Sequence, residues 1–66
     1  MKNTIKIERA IKNMTQESLA IEIGVSRQTI NSIEKNRYIP SIVLALKISK
    51  VFEKSVNEIF ELEEED

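Results

Sequence analysis

Sixty-six residues with neither cysteine nor histidine make a single domain, 1–66, and exclude disulfide staples and ordinary zinc sites. The formal net charge of −1 hides an uneven distribution, because Glu61, Glu63, Glu64, Glu65 and Asp66 put five acids in the last six residues. Residues 1–60 therefore carry ten basic and six acidic side chains, a net of +4, which suits a polyanionic partner better than the total does.

One proline and one glycine leave little room for strands and tight turns, and the apolar residues recur mostly at three- and four-residue spacing. The expectation is an all-α domain of five helices. Asn3 or Thr4 caps a first helix over about 4–12, with Ile5, Ile7, Ile11 and Met14 inward, Glu8 outward, and Asn13 as a left-handed stop. Thr15 caps a second helix over 16–23 whose inner face carries Leu19, Ala20 and Ile23. Gly24 breaks it, Val25 points back to the core, and Ser26 caps a third helix over 27–35 with Ile30 and Ile33 inside. Residues 36–40 form a loop ended by Pro40, after which Ser41 caps a fourth helix over 42–52. Ser55-Val56-Asn57-Glu58 is a capping box that starts a short fifth helix over 56–60. Phe60-Glu61-Leu62-Glu63 alternates apolar and acidic, a strand pattern that would pair with the first residues of the chain. A frayed acidic tail over 61–66 accounts for it equally.

The segment from Gln16 to Lys35 is thus helix, four-residue turn, helix. The core side chains Leu19, Ala20, Ile23, Val25, Ile30 and Ile33 fix the crossing angle, each contributing roughly 1.5–3 kcal/mol if fully covered. Outward from the second of these helices stand Arg27, Gln28, Thr29, Asn31 and Ser32, whose groups match base edges in a DNA major groove. Gln28 suits adenine, Arg27 suits guanine or phosphate, and Thr29 offers a methyl to thymine or a hydroxyl to the backbone. An exposed amphipathic helix is polar in any case, and only its place behind this turn favours the DNA reading. Gln16, at the amino end of the preceding helix, and Lys35, Asn36 and Arg37, after the reading helix, flank it as phosphate contacts.

These residues carry a family resemblance. Thr15-Gln16-Glu17-Ser18-Leu19-Ala20, Gly24-Val25-Ser26-Arg27-Gln28-Thr29-Ile30, Ile33-Glu34 and Pro40-Ser41 resemble the Cro and lambda-repressor (XRE) family of helix-turn-helix regulators. The resemblance extends over residues 3–60 and is greatest to small members with little beyond the DNA-binding domain. It implies a compact lambda-repressor-like fold, operator binding as a homodimer, and repression of transcription. By motif position it puts Gln16 on phosphate and Arg27, Gln28, Asn31 and Ser32 at or near bases. Glu8 departs from the family pattern, since members usually place an apolar residue there.

Specific affinity generally needs two half-sites, which raises the question of a dimer surface. On the fourth helix Ile42, Ala45, Leu46, Ser49 and Phe52 make a face suited to the core. Leu44, Ile48 and Val51 make a second apolar stripe, which is expected to join Ile59, Phe60 and Leu62 in a homodimer contact. The alternative is that the fifth helix covers this stripe within one subunit. The expected partners are therefore operator DNA and a second copy. Another reading is an antitoxin-type module that binds DNA and covers a protein toxin, although only 61–66 is spare for that. No histidine, cysteine, glycine-rich phosphate loop or paired inward carboxylates offer enzymatic chemistry, and no cofactor, metal or small-molecule substrate is expected. The longest apolar run, residues 42–46, falls far short of the roughly 20 residues that span a membrane, and no signal-peptide pattern opens the chain. A cytoplasmic location without membrane contact is the expectation.

Overall fold

The computed structural model describes all 66 residues. Its elements run β1 (Lys2–Asn3), α1 (Ile5–Ile11), α2 (Gln16–Ile23), α3 (Arg27–Glu34), α4 (Ile42–Phe52), α5 (Val56–Ile59) and β2 (Phe60–Glu61). The architecture is helical, as expected, with one two-stranded antiparallel pairing of the chain ends in the register Lys2 to Glu61 and Asn3 to Phe60. No helix is long and apolar enough to cross a membrane.

Side-chain caps start the helices where hydroxyls stand in the sequence. Thr15, Ser26, Ser41 and Ser55 each accept the backbone N–H three residues ahead, and the Thr15 and Ser55 caps are reciprocated by Ser18 and Glu58. The backbone N–H of Ser55 holds the Glu58 carboxyl below its ordinary range. At α1 the cap comes from one residue further back: the Asn3 Oδ1 accepts the Ile5 N–H at 3.2 Å.

Four helices stop in the same way, with a residue in the left-handed region. These are Asn13 (φ 55°), Gly24 (78°), Asn36 (59°) and Glu53 (56°). In each case the next N–H reaches back five residues: Met14 to Arg9, Val25 to Ala20, Arg37 to Ser32 and Lys54 to Ser49, at 2.8, 2.9, 2.9 and 3.2 Å. Asn13 is the stop expected from the sequence.

The core is built from Ile5, Leu19, Ala20, Ile23, Ile30, Ile33, Leu44, Ala45, Ile48, Phe52, Ile59 and Phe60, with Met14, Val25 and Val51 packed at its margin. Two helices are rotated relative to the expectation. On α1, Ile7 and Ile11 are 60% and 66% exposed, while Glu8 is buried. The inward side of this helix carries Ile5 and two ionic anchors instead. Glu8 is met by the Lys54 ammonium at 2.8 Å, and Arg9 by Glu34. The carboxylate of Glu8 in turn raises the Lys54 ammonium above its ordinary value.

On α4 the buried arc is Leu44, Ala45, Ile48 and Phe52, because α2 and α5 both pack against it. Leu44, Ile48, Ile59 and Phe60 are therefore interior, and Val51 is half-buried at the edge; they do not form a surface stripe. Of the six residues expected at a dimer contact only Leu62 is exposed. The uncovered apolar face of α4 is Ile42, Val43 and Leu46, at 76%, 60% and 55%. Coverage within the subunit, the alternative reading of the stripe, is what the fold adopts.

The chain ends are clasped. The Met1 amine lies 3.0 Å from Glu63 and 2.9 Å from Asp66, and Lys2 pairs with Glu61 beside it. Hydrogen bonds to Asp66 and Glu63 raise the amine above its ordinary value. The last residues of the acidic tail thus fold back on the first residue of the chain.

Candidate nucleic-acid interface

The helix pair α2–α3 is the most closely packed in the molecule. Ala20 keeps the crossing tight, Leu19 and Ile23 meet Ile30 and Ile33 in the core, and the left-handed Gly24 turns the chain between them. A β-carbon at Gly24 would meet nothing within 4 Å, so the requirement for glycine there is one of backbone conformation alone.

With Ile30 and Ile33 fixed inward, the 3.6-residue period turns Arg27, Gln28, Asn31, Ser32 and Lys35 to the other side of α3. The face divides into two parts. Gln28, Thr29 and Ser32 line an open groove together with Arg37 and Tyr38 from the following loop. The Thr29 hydroxyl lies 3.0 Å from the Ser26 hydroxyl within the cap. Tyr38 was not singled out from the sequence. Its signal was an aromatic ring directly after the cationic loop residues, in a chain with no other tyrosine.

Asn31 belongs to a second cluster. The Gln16 Nε2 donates to Asn31 Oδ1 at 3.3 Å and to Glu34 Oε1 at 3.1 Å. Glu34 also accepts two bonds from Arg9, at 2.6 Å to Oε2 and 3.0 Å to Oε1, and Arg9 donates a third to the Met14 carbonyl at 3.0 Å. The structure thus brings Gln16 against α3 through its side chain. Both of its amide hydrogens are committed, which leaves the unpaired backbone N–H groups of Gln16 and Glu17 as the anion-facing donors at the start of α2.

Beyond α3 the left-handed Asn36 turns the chain, and its side-chain oxygen accepts from Asn3 Nδ2 at 3.3 Å. Asn3 Nδ2 also donates to the Ile33 carbonyl at 2.9 Å, closing the carboxyl end of the helix. Arg27, Lys35 and Arg37 form no ion pair, in contrast to Arg9 and Lys54, which are spent on internal carboxylates. Three uncompensated cations therefore border one polar helix face, a suitable arrangement for phosphates on either side of a groove. Nothing in the fold groups three or more metal-ligating side chains.

Comparison with known proteins agrees with this geometry. A family profile described as helix-turn-helix matches residues 5–59. The chain is 52% identical over 66 residues to an uncharacterized HTH-type transcriptional regulator of Methanocaldococcus jannaschii, and 48% identical over 66 residues to the HTH-type transcriptional regulator YgzD of Bacillus subtilis, likewise uncharacterized. Both alignments cover the whole of each chain. Among solved structures it resembles the restriction-modification controller protein C.AhdI of Aeromonas hydrophila, with a TM-score of 0.77, 27% identity and 85% of each chain covered. A profile match across the helix pair and its flanking helices, together with relatives that align end to end, makes this chain a member of the XRE-type, Cro- and lambda-repressor-like helix-turn-helix family of transcriptional regulators.

Proposed function

We propose that this regulator is a homodimeric repressor that reads a palindromic operator by placing α3 in the major groove. The observation that carries the reading is the outward face of α3: an open groove of Gln28, Thr29, Ser32, Arg37 and Tyr38, bordered by cations that no carboxylate neutralises. Arg27, Gln28, Asn31 and Ser32 meet base edges, and the Thr29 methyl packs on a thymine methyl. Lys35, Arg37 and the amino end of α2 at Gln16 grip phosphates, with Asn36 shaping the loop between them. Restriction-modification control, named for the similar C.AhdI, is one setting in which a small regulator of this kind acts.

The second copy docks on the exposed apolar face of α4, where Ile42, Val43 and Leu46 stand within about one turn, with Leu62 as a further apolar contact. Three large apolar side chains so exposed on one short helix mark an interaction surface. The test is selection of bound sequences from a random DNA pool at moderate salt. The expected result is a palindrome whose half-site centres are about 34–36 Å apart, one helical turn, or a multiple of it. Failure to enrich any sequence would refute DNA reading, and enrichment of one asymmetric half-site would refute the dimer. Placing the selected site over a promoter then distinguishes repression, a fall in transcription, from activation.

A further inference from the structure

We infer that the acidic turn at residues 63–66 is an ionic latch between two copies of the chain, in which Glu64 and Glu65 of one copy close on Lys47 and Lys50 of the other. The inference rests on the proposed homodimer through α4 and adds the charged contacts that set its direction.

With Leu44, Ala45, Ile48 and Phe52 inward, the 3.6-residue period leaves one outward arc on α4: Ile42, Val43, Leu46, Lys47 and Lys50, all exposed. The arc changes character along the helix. Its amino-terminal half is apolar, its carboxyl-terminal half is cationic, and α4 contains no acid. Neither Lys47 nor Lys50 has an ion-pair partner. Glu22 and Glu53 lie across an open cleft from them, and Glu53 turns to Lys12 at 3.9 Å instead.

The acidic turn stands at the opposite end of this helix. Asp66 shares a small cavity with Ile39 and Pro40, the residues that lead into α4. The turn is closed on itself: the Asp66 N–H donates to the Glu63 carbonyl at 3.0 Å, and the Glu63 N–H donates to Asp66 Oδ2 at 2.8 Å. Glu63 and Asp66 are also held by the Met1 amine. Glu64 and Glu65 form the tip, exposed and without a cation of their own.

A parallel pairing of two such faces would set lysines on lysines. A two-fold axis that crosses antiparallel helices between Val43 and Leu46 instead buries the apolar halves on one another and places Ile42 beside the partner's Lys47. The partner's Lys50, about 4.5 Å farther along at 1.5 Å per residue, then reaches past the amino end of α4, toward Ile39 and the acidic turn. The symmetry makes the match twice. One docking thus supplies counterions both to the lysines of α4 and to the acids of the turn.

Sedimentation equilibrium tests the latch with the wild type, Lys47→Glu/Lys50→Glu, Glu64→Lys/Glu65→Lys, and an equal mixture of these two variants. Each variant alone sets like charges against each other at both ends of the interface, and its dimer is expected to be weaker than the wild type by about tenfold or more in Kd. The mixture restores opposite charges between subunits and is expected to form a heterodimer within about threefold of the wild-type Kd. Added salt should weaken the wild-type dimer and strengthen that of each variant. Lys47→Gln/Lys50→Gln, which removes the charge without reversing it, should abolish the salt dependence, and it serves if a reversed chain loses its helical spectrum. Variants that dimerise as the wild type does, or a mixture no tighter than its components, would overturn the latch while the homodimer stood. A wild type that stays monomeric, even on a selected DNA site, would overturn both.

Discussion

Replacing Arg9 by Met should separate the energetic role of the Arg9–Glu34 pair from its geometry. The two side chains are 13% and 7% exposed, so the pair is nearly dry, and it ties α1 to α3 across the helix pair. Removing one partner of such a pair leaves the other charge buried and costs about 3–5 kcal/mol. Gln16 still donates to Glu34 in the variant, which places the expected loss at the lower end, about 3 kcal/mol. A domain of this length is stabilised by only about 3–10 kcal/mol in total, so Arg9→Met should be poorly folded near physiological temperature. The double variant Arg9→Met with Glu34→Leu replaces the charges by apolar groups and should recover most of the loss, to within about 1 kcal/mol of the wild type. Urea unfolding followed by circular dichroism gives each value. If Arg9→Met cost less than about 1 kcal/mol, or if the losses of the single variants simply added, the pair would be a solvated contact and the reasoning from burial would fail.

Three further outcomes follow from the same structure. Gly24→Ala should cost about 1–2 kcal/mol through its left-handed φ alone, lowering the melting temperature by about 4–16 °C, while Gly24→Asn loses less. Scanning calorimetry checks this, and an alanine variant as stable as the wild type would contradict it. Glu58 titrates below its ordinary value of 4.5 in the folded chain, so as pH falls protons bind the unfolded state first. Its contribution should be constant above that value and lost on going below it, and Glu58→Gln should flatten this limb of a stability–pH curve. Leu46→Glu should sediment as a monomer, keep its helical spectrum and bind a palindromic site more weakly. Leu44→Glu, which buries a carboxylate in the core, should instead lose about 4 kcal/mol or more and unfold.

The readable parts of this fold were those with a local chemical signal. A hydroxyl before an apolar run marks a cap whatever lies around it, and all four Ser or Thr caps expected before α2–α5 stand in the structure. Gly24 with Val25 behind it specified the turn for the same reason. The inward faces of α1 and α4 were not readable in this way. Ile7 with Ile11, and Ile42 with Leu46, fit the helical period as well as the residues that are buried. Periodicity shows that a stripe exists; which stripe is covered depends on partners remote in the chain, here Lys54 for Glu8 and the α2 and α5 helices for Leu44 and Ile48. At the candidate interface the spacing identified which residues of α3 turn outward. It did not reveal that the Gln16 amide and the Thr29 hydroxyl are already engaged within the protein, since those bonds join side chains whose rotamers are set by packing.

The side chain of Asn3 binds the least substantial element of the fold to its most consequential one. From a two-residue strand it closes the last turn of α3 through the Ile33 carbonyl and holds the Asn36 oxygen of the loop beyond. Terminal strands of this size ordinarily fray on their own. Here, opening the strand also uncaps α3, so the two events form one cooperative unit. The carboxyl end of α3 is therefore tied to the pairing of the chain ends, and loosening β1 from β2 would release the cap of α3 and disturb Phe60, the core residue opposite Asn3, in the same step.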